Sequence, residues 1–152
     1  MLTHKGTQEI RTERLLLRRF RGEDAKRMFD TWANDERVTQ FLTWTPHGSI
    51  GCVETNERDE CGEIGYCIAY NFWSKGIMTE ATSAVIDFLF SEVNFHRIEI
   101  LHATQNPASG KVAQHCGLTL EGIKREHFKS ATGEFLDIAI YSILKKEWEN
   151  KR

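Results

Sequence analysis

Apolar and polar positions change period several times along the chain, and each change marks an element. Arg14-Leu15-Leu16-Leu17-Arg18-Arg19-Phe20 is a short apolar run closed by charge, the pattern of a strand. Gly22-Glu23-Asp24 supplies a turn and acidic residues suited to a helix N-terminus. Ala25, Met28, Phe29 and Trp32 follow at helical spacing, ending near Asn34. Val38 to Ile50, with its aromatic residues, Pro46 and Gly48, reads as an irregular connection. Two strands are expected around the polar turn Asn56-Glu57-Arg58-Asp59, namely Ile50 to Val53 before it and Glu63 to Ala69 after it.

Beyond the loop Asn71-Phe72-Trp73-Ser74-Lys75-Gly76, the residues Met78, Ala81, Val85, Phe88 and Leu89 form the apolar stripe of a long helix ending near Asn94. Arg97 to Ala103 reads as a strand. Asn106 is a good N-cap ahead of Pro107 at the first helical position. The short helix that follows has Val112, Ala113 and Cys116 on one side, with Gly117 as its stop. Leu118 to Leu144 resembles a long hairpin turning at Thr132-Gly133. Its more apolar arm, Phe135 to Leu144, is either an internal strand or part of an interface. The order of elements predicts a mixed α/β sheet with helices packed on its faces.

Composition adds bounds to this picture. With 152 residues, two prolines and neither a repeat nor a low-complexity tract, residues 1–152 are expected to form a single domain. A net charge of −2 gives no global attraction to nucleic acid or to an anionic membrane. The cluster Arg11, Arg14, Arg18, Arg19 and Arg21 reads as a solvated strand and loop rather than a docking site. The N-terminal residues lack the apolar core of a signal peptide and no stretch approaches a membrane span, so a cytoplasmic location is expected. Cys52, Cys61, Cys67 and Cys116 lack the close spacing of a zinc or redox motif and are expected as free thiols. The six histidines are scattered, and no metal centre is expected.

Two constellations carry chemistry. Trp73-Ser74-Lys75-Gly76-Ile77-Met78-Thr79-Glu80-Ala81 turns from a strand into a long helix. A helix N-terminus offers free N–H groups and the positive end of the macrodipole, which together suit a pyrophosphate. On its own, a turn with one glycine is common, and this one is neither a Walker A loop nor a dinucleotide fingerprint. The second is Asn106-Pro107-Ala108-Ser109, where Asn106 caps the helix and the Ser109 hydroxyl, one turn in, is a candidate proton donor.

Taken together with Glu63-Ile64-Gly65-Tyr66 and with Gly117-Leu118-Thr119-Leu120-Glu121-Gly122 followed by Arg125, these landmarks resemble, in order and spacing, the GNAT superfamily in its RimJ/RimL-like branch. Thr12-Glu13-Arg14-Leu15-Leu16-Leu17-Arg18 resembles that branch's first strand, so the likeness covers nearly the whole chain. The resemblance implies an α/β (α+β) GNAT acyl-CoA N-acyltransferase fold with a mixed, mostly antiparallel sheet and helices on both faces. It implies acetyl-CoA as cosubstrate, no metal, and direct transfer of acetyl to a primary amine in a ternary complex. The acceptor implied is a protein or peptide N-terminus, such as that of a ribosomal protein, and the assembly a monomer or homodimer.

On this resemblance Trp73, Ser74, Lys75, Gly76, Ile77, Met78 and Thr79 hold the pyrophosphate. The pantetheine arm lies along Tyr66, Cys67 and Ile68 in a splay between neighbouring strands, where main-chain N–H groups polarise the thioester. Asn106 contacts the pantetheine and Ser109 protonates the leaving thiolate. Glu126 and His127 rank ahead of Glu121 as the base, and an exposed surface role is the bland alternative for each. The sequence departs from the superfamily's cofactor loop at Trp73 and Met78, and Ser74 stands where the branch often has glycine. Between Phe41 and Gly51 the chain is short, on the order of 25–30 residues, by the second helix and next strand that relatives carry there. Two other functions stay open. The acids Glu54, Glu57, Asp59, Glu60 and Glu63 suit a small cationic amine such as a polyamine, and Met78 with the short segment suits a domain that binds acetyl-CoA without turnover.

Overall fold

In the computed structural model, which describes residues 2–28, 30, 35–39 and 50–151, the alternating apolar stretches pair into a five-stranded sheet. Its strands are β3 (Ile50–Asn56), β4 (Cys61–Tyr66), β5 (Arg97–Ala103), β6 (Thr119–Lys129) and β7 (Phe135–Leu144), in the spatial order β3-β4-β5-β7-β6. Every pair is antiparallel except β4 with β5. That parallel pair needs a crossover, and α3 (Ile77–Phe88) supplies it. The helix α4 (Pro107–His115) follows β5, and a separate two-stranded ladder joins β1 (Ile10–Arg11) to β2 (Leu16–Leu17). Among the described residues, no helix is long and apolar enough to cross a membrane.

The expected strand over Arg14 to Phe20 shrinks to Leu16–Leu17. Its arginines are drawn sideways: Arg14 Nε reaches Glu80 Oε2 at 2.6 Å and Arg18 Nη1 reaches Asp24 Oδ2 at 2.8 Å. The next helix, α1 (Asp24–Met28), starts at the expected acidic turn, whereas Phe29, Trp32 and Asn34 lie outside the described residues. So do Phe41, Pro46 and Gly48 of the expected connection, although its start holds a short helix, α2 (Glu36–Thr39). A last helix, α5 (Lys145–Glu149), has no counterpart in the sequence reading. Its N-cap is Leu144, which announces nothing; the Leu144 N–H instead donates to Glu147 Oε2 at 2.9 Å.

Strand alternation decides which side chains are buried. Ile64, Ile98, Ile100 and Ile143 point to one face and are at most 1% exposed. Val85, Ile86, Leu89 and Phe90 of the α3 segment and Ala113 of α4 close over them. A smaller apolar cluster of Ala103, Leu136 and Ile138, flanked by Leu101 and Phe128, gathers separately. The strand β7 runs between β5 and β6, so the apolar arm is an internal strand. After Phe88 the helix widens into a π turn over Leu89–Val93 and ends at Asn94, whose φ of +71° is a left-handed stop.

The parallel pairing is short. It runs through Cys61↔Arg97, Gly62↔Ile98 and Glu63↔Glu99 and then stops. Beyond that point β4 stays paired to β3 as far as Tyr66, and β5 stays paired to β7 as far as Ala103. The two strands therefore part like a V. Phe90 is fully buried at the centre of the packing on the helix face. Phe90→Ala is expected to lower stability by about 3–5 kcal/mol in urea denaturation, through lost burial and an unfilled cavity.

Candidate active site

The V opens into a cleft of about 620 Å³. The β4 side contributes Glu63, Gly65, Tyr66, Cys67 and Ile68, and the β5 side contributes Leu101, His102 and Ala103. The start of α3 and the start of α4 close its two ends with Gly76, Ile77, Met78 and Thr79 and with Asn106, Pro107, Ala108 and Ser109.

At the α3 end the chain must reverse sharply. Ser74 and Gly76 both take left-handed backbone, with φ of +57° and +70°, the conformation in which glycine is unstrained. Trp73 pins the turn by donating from Nε1 to the Ile68 carbonyl at 2.9 Å. Gly76 is the N-cap and offers no side-chain acceptor. The first helical bond runs from Glu80 N–H to the Gly76 carbonyl at 3.0 Å, so the N–H groups of Ile77, Met78 and Thr79 have no helical acceptor. All three residues line the cleft. Lys75 does not; its ammonium lies 5.6 Å from the Phe72 ring centre.

At the α4 end, Asn106 caps the helix by accepting from Ser109 N–H at 3.4 Å. Its Nδ2 donates to Ser109 Oγ at 3.1 Å, which leaves the hydroxyl proton of Ser109 free to be given away. Tyr66 reaches from β4 to α4 and donates its hydroxyl to the Ser109 carbonyl at 3.0 Å. Burial pushes the Tyr66 phenol well above its ordinary range, and the contact with Ser109 offsets this only in part. It therefore stays a donor at neutral pH.

The carboxylates divide differently from the expectation. Glu126 and His127 fall in the irregular stretch of β6 between Lys124 and Phe128, where register with β7 slips. Both are exposed. The N–H of Glu126 donates to Asp137 Oδ1 at 2.8 Å and the His127 ring leans on Phe128 at 4.7 Å. Phe128 lines the cleft; Glu126 and His127 do not. Glu121 accepts from Arg97 and from Ser142 at 2.6 Å, and these donors, Arg97 above all, hold its carboxyl down at about 2. Glu63 instead lines the cleft at the apex of the V. Burial raises its carboxyl above the ordinary range; its cross-strand neighbours Glu54 and Glu99 add to the rise and Lys124 opposes it.

Two of these lining residues escape a reading of the sequence alone. Glu63 reads as the head of a strand and as one of several acids suited to a cationic amine. Its place in the cleft as a candidate base is what goes unread, although its position beside core-facing Ile64 is a usable signal. His102 sits within the apolar run of β5, and its Nδ1 lies 2.8 Å from the Ala103 carbonyl. Its Nε2 has no partner among the described residues, and a Cβ on Gly110 would stand 2.9 Å from it. Among the described residues no group of three His, Cys, Asp or Glu side chains is placed to hold a metal ion.

A sheet that parts at a parallel pair, with a bare helix N-terminus at one end of the gap and a hydroxyl at the other, has the shape and the free donors that suit an extended, phosphate-bearing molecule. The family model described as an acetyltransferase (GNAT) domain matches residues 45–119. A Bacillus licheniformis protein named as an uncharacterized N-acetyltransferase, p20, is 29% identical over 177 residues, covering 93% of this chain and 98% of its own. Since that match is longer than the 152-residue chain, the relative holds residues with no counterpart here. YdaF of Bacillus subtilis, described as a candidate ribosomal N-acetyltransferase, is 34% identical over 105 residues, covering 69% of this chain and 57% of its own. A crystal structure of a GNAT-family acetyltransferase from Bacillus anthracis superposes with a TM-score of 0.84 at 22% identity, covering 92% of this chain and all of that one. The chain carries a GNAT acetyltransferase domain and has the GNAT fold; it is an acyltransferase.

Tyr66 spans the cleft from β4 to α4 through one hydrogen bond to a backbone carbonyl. Tyr66→Phe is expected to lower stability by about 0.5–1.5 kcal/mol, read as a shifted urea midpoint with an unchanged slope.

Proposed function

We propose that this chain moves acetyl from acetyl-CoA to a primary amine at a protein or peptide N-terminus, by direct attack in a ternary complex. The observation that carries this is the early end of β4–β5 pairing, which leaves the peptide groups of Ile64 to Tyr66 without a β5 partner beside a cleft. The residues present fit the coenzyme. A pantetheine arm is an extended chain with two amides, and the side of β4 that β5 leaves after Glu63, continued past Tyr66 by Cys67 and Ile68 along the cleft, matches it. A pyrophosphate fits the N–H groups of Ile77, Met78 and Thr79, with Trp73, Ser74, Lys75 and Gly76 forming the turn behind them. Asn106 lies where it can meet the arm and holds Ser109 in place.

In the reaction the amine nitrogen attacks the thioester carbonyl carbon, the carbon–sulfur bond breaks, and the amine proton must leave. Main-chain N–H groups at the strand edge stabilise the oxyanion. Ser109 gives its hydroxyl proton to the departing thiolate. Glu63, half-buried at the apex of the V, takes the amine proton in place of Glu126 and His127, which lie outside the cleft. The balance is one proton moved from nitrogen to sulfur, with Ser109 and Glu63 returned to their starting forms by exchange with solvent. The relative YdaF supports the protein-terminus acceptor.

A specific observation favours a second acceptor class. Glu54, Glu63 and Glu99 stand in register on three neighbouring strands, a like-charge row that suits a small cationic amine. Thiol release from acetyl-CoA with purified protein, measured against a panel of peptides and polyamines, separates the two. Release with peptides ahead of polyamines supports the first reading, the reverse order the second, and no release with any acceptor overturns both.

A base works only when ionised. Activity at limiting substrate is therefore expected to fall as pH drops through the Glu63 pKa, with the midpoint above the ordinary carboxylate range. Glu63→Gln is expected to remove that acid limb and to cut kcat by roughly 10²–10⁴-fold. The sign for stability is opposite. A carboxyl whose folded pKa is raised disfavours the native state once pH exceeds its unfolded value. Glu63→Gln is thus expected to be the more stable protein at neutral pH and to lose that advantage below the ordinary carboxylate range, as urea titrations at the two pH values would register.

A further inference from the structure

The turn that receives the pyrophosphate in this reading has an acid beside it. Glu80 lies in the first turn of α3, and its side chain is only 19% exposed. A bare carboxylate there would repel the phosphates that the helix N-terminus attracts. The structure takes up that charge completely, from the other end of the chain. The Thr12 hydroxyl and the Arg14 N–H, the latter at 3.0 Å, donate to Glu80 Oε1, and Arg14 Nε donates to Oε2 at 2.6 Å. These donors, the Thr12 hydroxyl first, hold the Glu80 carboxyl below its ordinary range, so it stays ionised and needs its counter-charge at any working pH.

The same guanidinium does a second thing. Arg14 Nη1 donates to the Lys75 carbonyl at 3.3 Å, and Nη2 lies 3.7 Å from where a Cβ on Gly76 would stand. One side chain therefore grips both the peptide entering the left-handed turn and the acid one helical turn later. Thr12 and Arg14 are themselves fixed, because they sit in the turn between β1 and β2, where Thr12 N–H bonds the Leu15 carbonyl and Leu15 N–H bonds the Thr12 hydroxyl, both at 3.0 Å.

We propose that Arg14 is a positioning residue for the coenzyme's phosphates: it offsets Glu80 and braces the Lys75–Gly76 peptide, so that the N–H groups of Ile77 to Thr79 present an uncompensated positive face to the cleft. This rests on the coenzyme reading of the site. It gives the N-terminal ladder a role in donor binding while placing none of its residues on the reacting atoms. A lysine would keep the charge and lose the fork that reaches both Glu80 and Lys75.

The test compares two acetyl donors, acetyl-CoA and S-acetylpantetheine, the second lacking every phosphate. For Arg14→Met, KM for acetyl-CoA is expected to rise by about ten-fold, with kcat and the KM for S-acetylpantetheine changed by less than about two-fold. Adding Glu80→Gln to Arg14→Met is expected to recover most of the loss, because the acid that Arg14 offsets is then gone; a purely structural arginine would show no such recovery. Should Arg14→Met fail to fold, Arg14→Lys carries the test with an expected rise of about three-fold confined to acetyl-CoA. An unchanged KM for acetyl-CoA, or an equal loss with both donors, overturns the proposal while leaving the coenzyme reading intact. Wild-type protein that shows no calorimetric binding of CoA overturns both.

Discussion

A parallel strand pair that ends early is the constraint on which the rest of this structure depends. Backbone N–H and C=O groups are costly to leave unpaired away from water, so a sheet that opens must expose the freed edges or give them a partner. Here β4 and β5 part after Glu63 and Glu99 while each keeps its outer neighbour, so the gap is held open by strands that cannot follow it shut. The helix crossovers then do the rest. The connection through α3 brings one helix N-terminus to the gap, and α4, which follows directly from β5, brings another. The free N–H groups of Ile77 to Thr79 and the capped start of α4, with its Ser109 hydroxyl, thus converge on the stretch where β4 and β5 are no longer paired.

The legibility of this arrangement in the sequence follows the range of the interactions involved. Gly76, Asn106-Pro107 and Gly117 act on their own backbone, and the structure finds them where local chemistry puts them: a left-handed N-cap, a capped helix start and a left-handed stop at φ of +85°. The strand Arg97–Ala103 and the hairpin around Thr132-Gly133 are likewise written in local period. The parting of β4 and β5 is not, since it is a relation between residues more than thirty positions apart and no residue in either strand marks it. The carboxylates show the same limit. Glu126 is near the expected place along the chain, but a slipped register in β6 leaves it exposed, at a φ of +47°. Period-two counting cannot anticipate such an irregularity, in which the four steps from Lys124 to Phe128 face only two on β7, from Ile138 to Leu136.

Arginines tell a related story. Arg11, Arg14, Arg18, Arg19 and Arg21 read as a solvated run, and Arg11 and Arg21 do form exposed pairs of small energetic weight, Arg21 with Glu23 at 3.7 Å. Arg14 differs because its partner is held from several sides and lies against a turn with left-handed backbone at two positions. An ion pair at a surface matters little as stability and can matter a good deal as geometry, since a planar fork fixes direction as well as charge. The sequence shows the arginine; only the fold shows that Glu80, 66 positions later, is what it faces.

Glu63 is where stability and chemistry pull apart. An acid half-buried in a cleft, with Glu54 on one neighbouring strand and Glu99 on the other, is a poor choice for holding a sheet together. Glu99 and Glu121 sit close by and are both satisfied by Arg97, whose Nε lies 2.7 Å from Glu99 Oε1, so the fold has a means of neutralising acids on these strands. At Glu63 Lys124 moderates the charge, and its influence is outweighed by burial. An ammonium group entering the V would supply the missing counter-charge, and the raised carboxyl pKa would ease transfer of its proton. Under the proposed reading the destabilisation is localised where an incoming amine would relieve it, which is the pattern of a site organised around a visitor rather than around the resting fold.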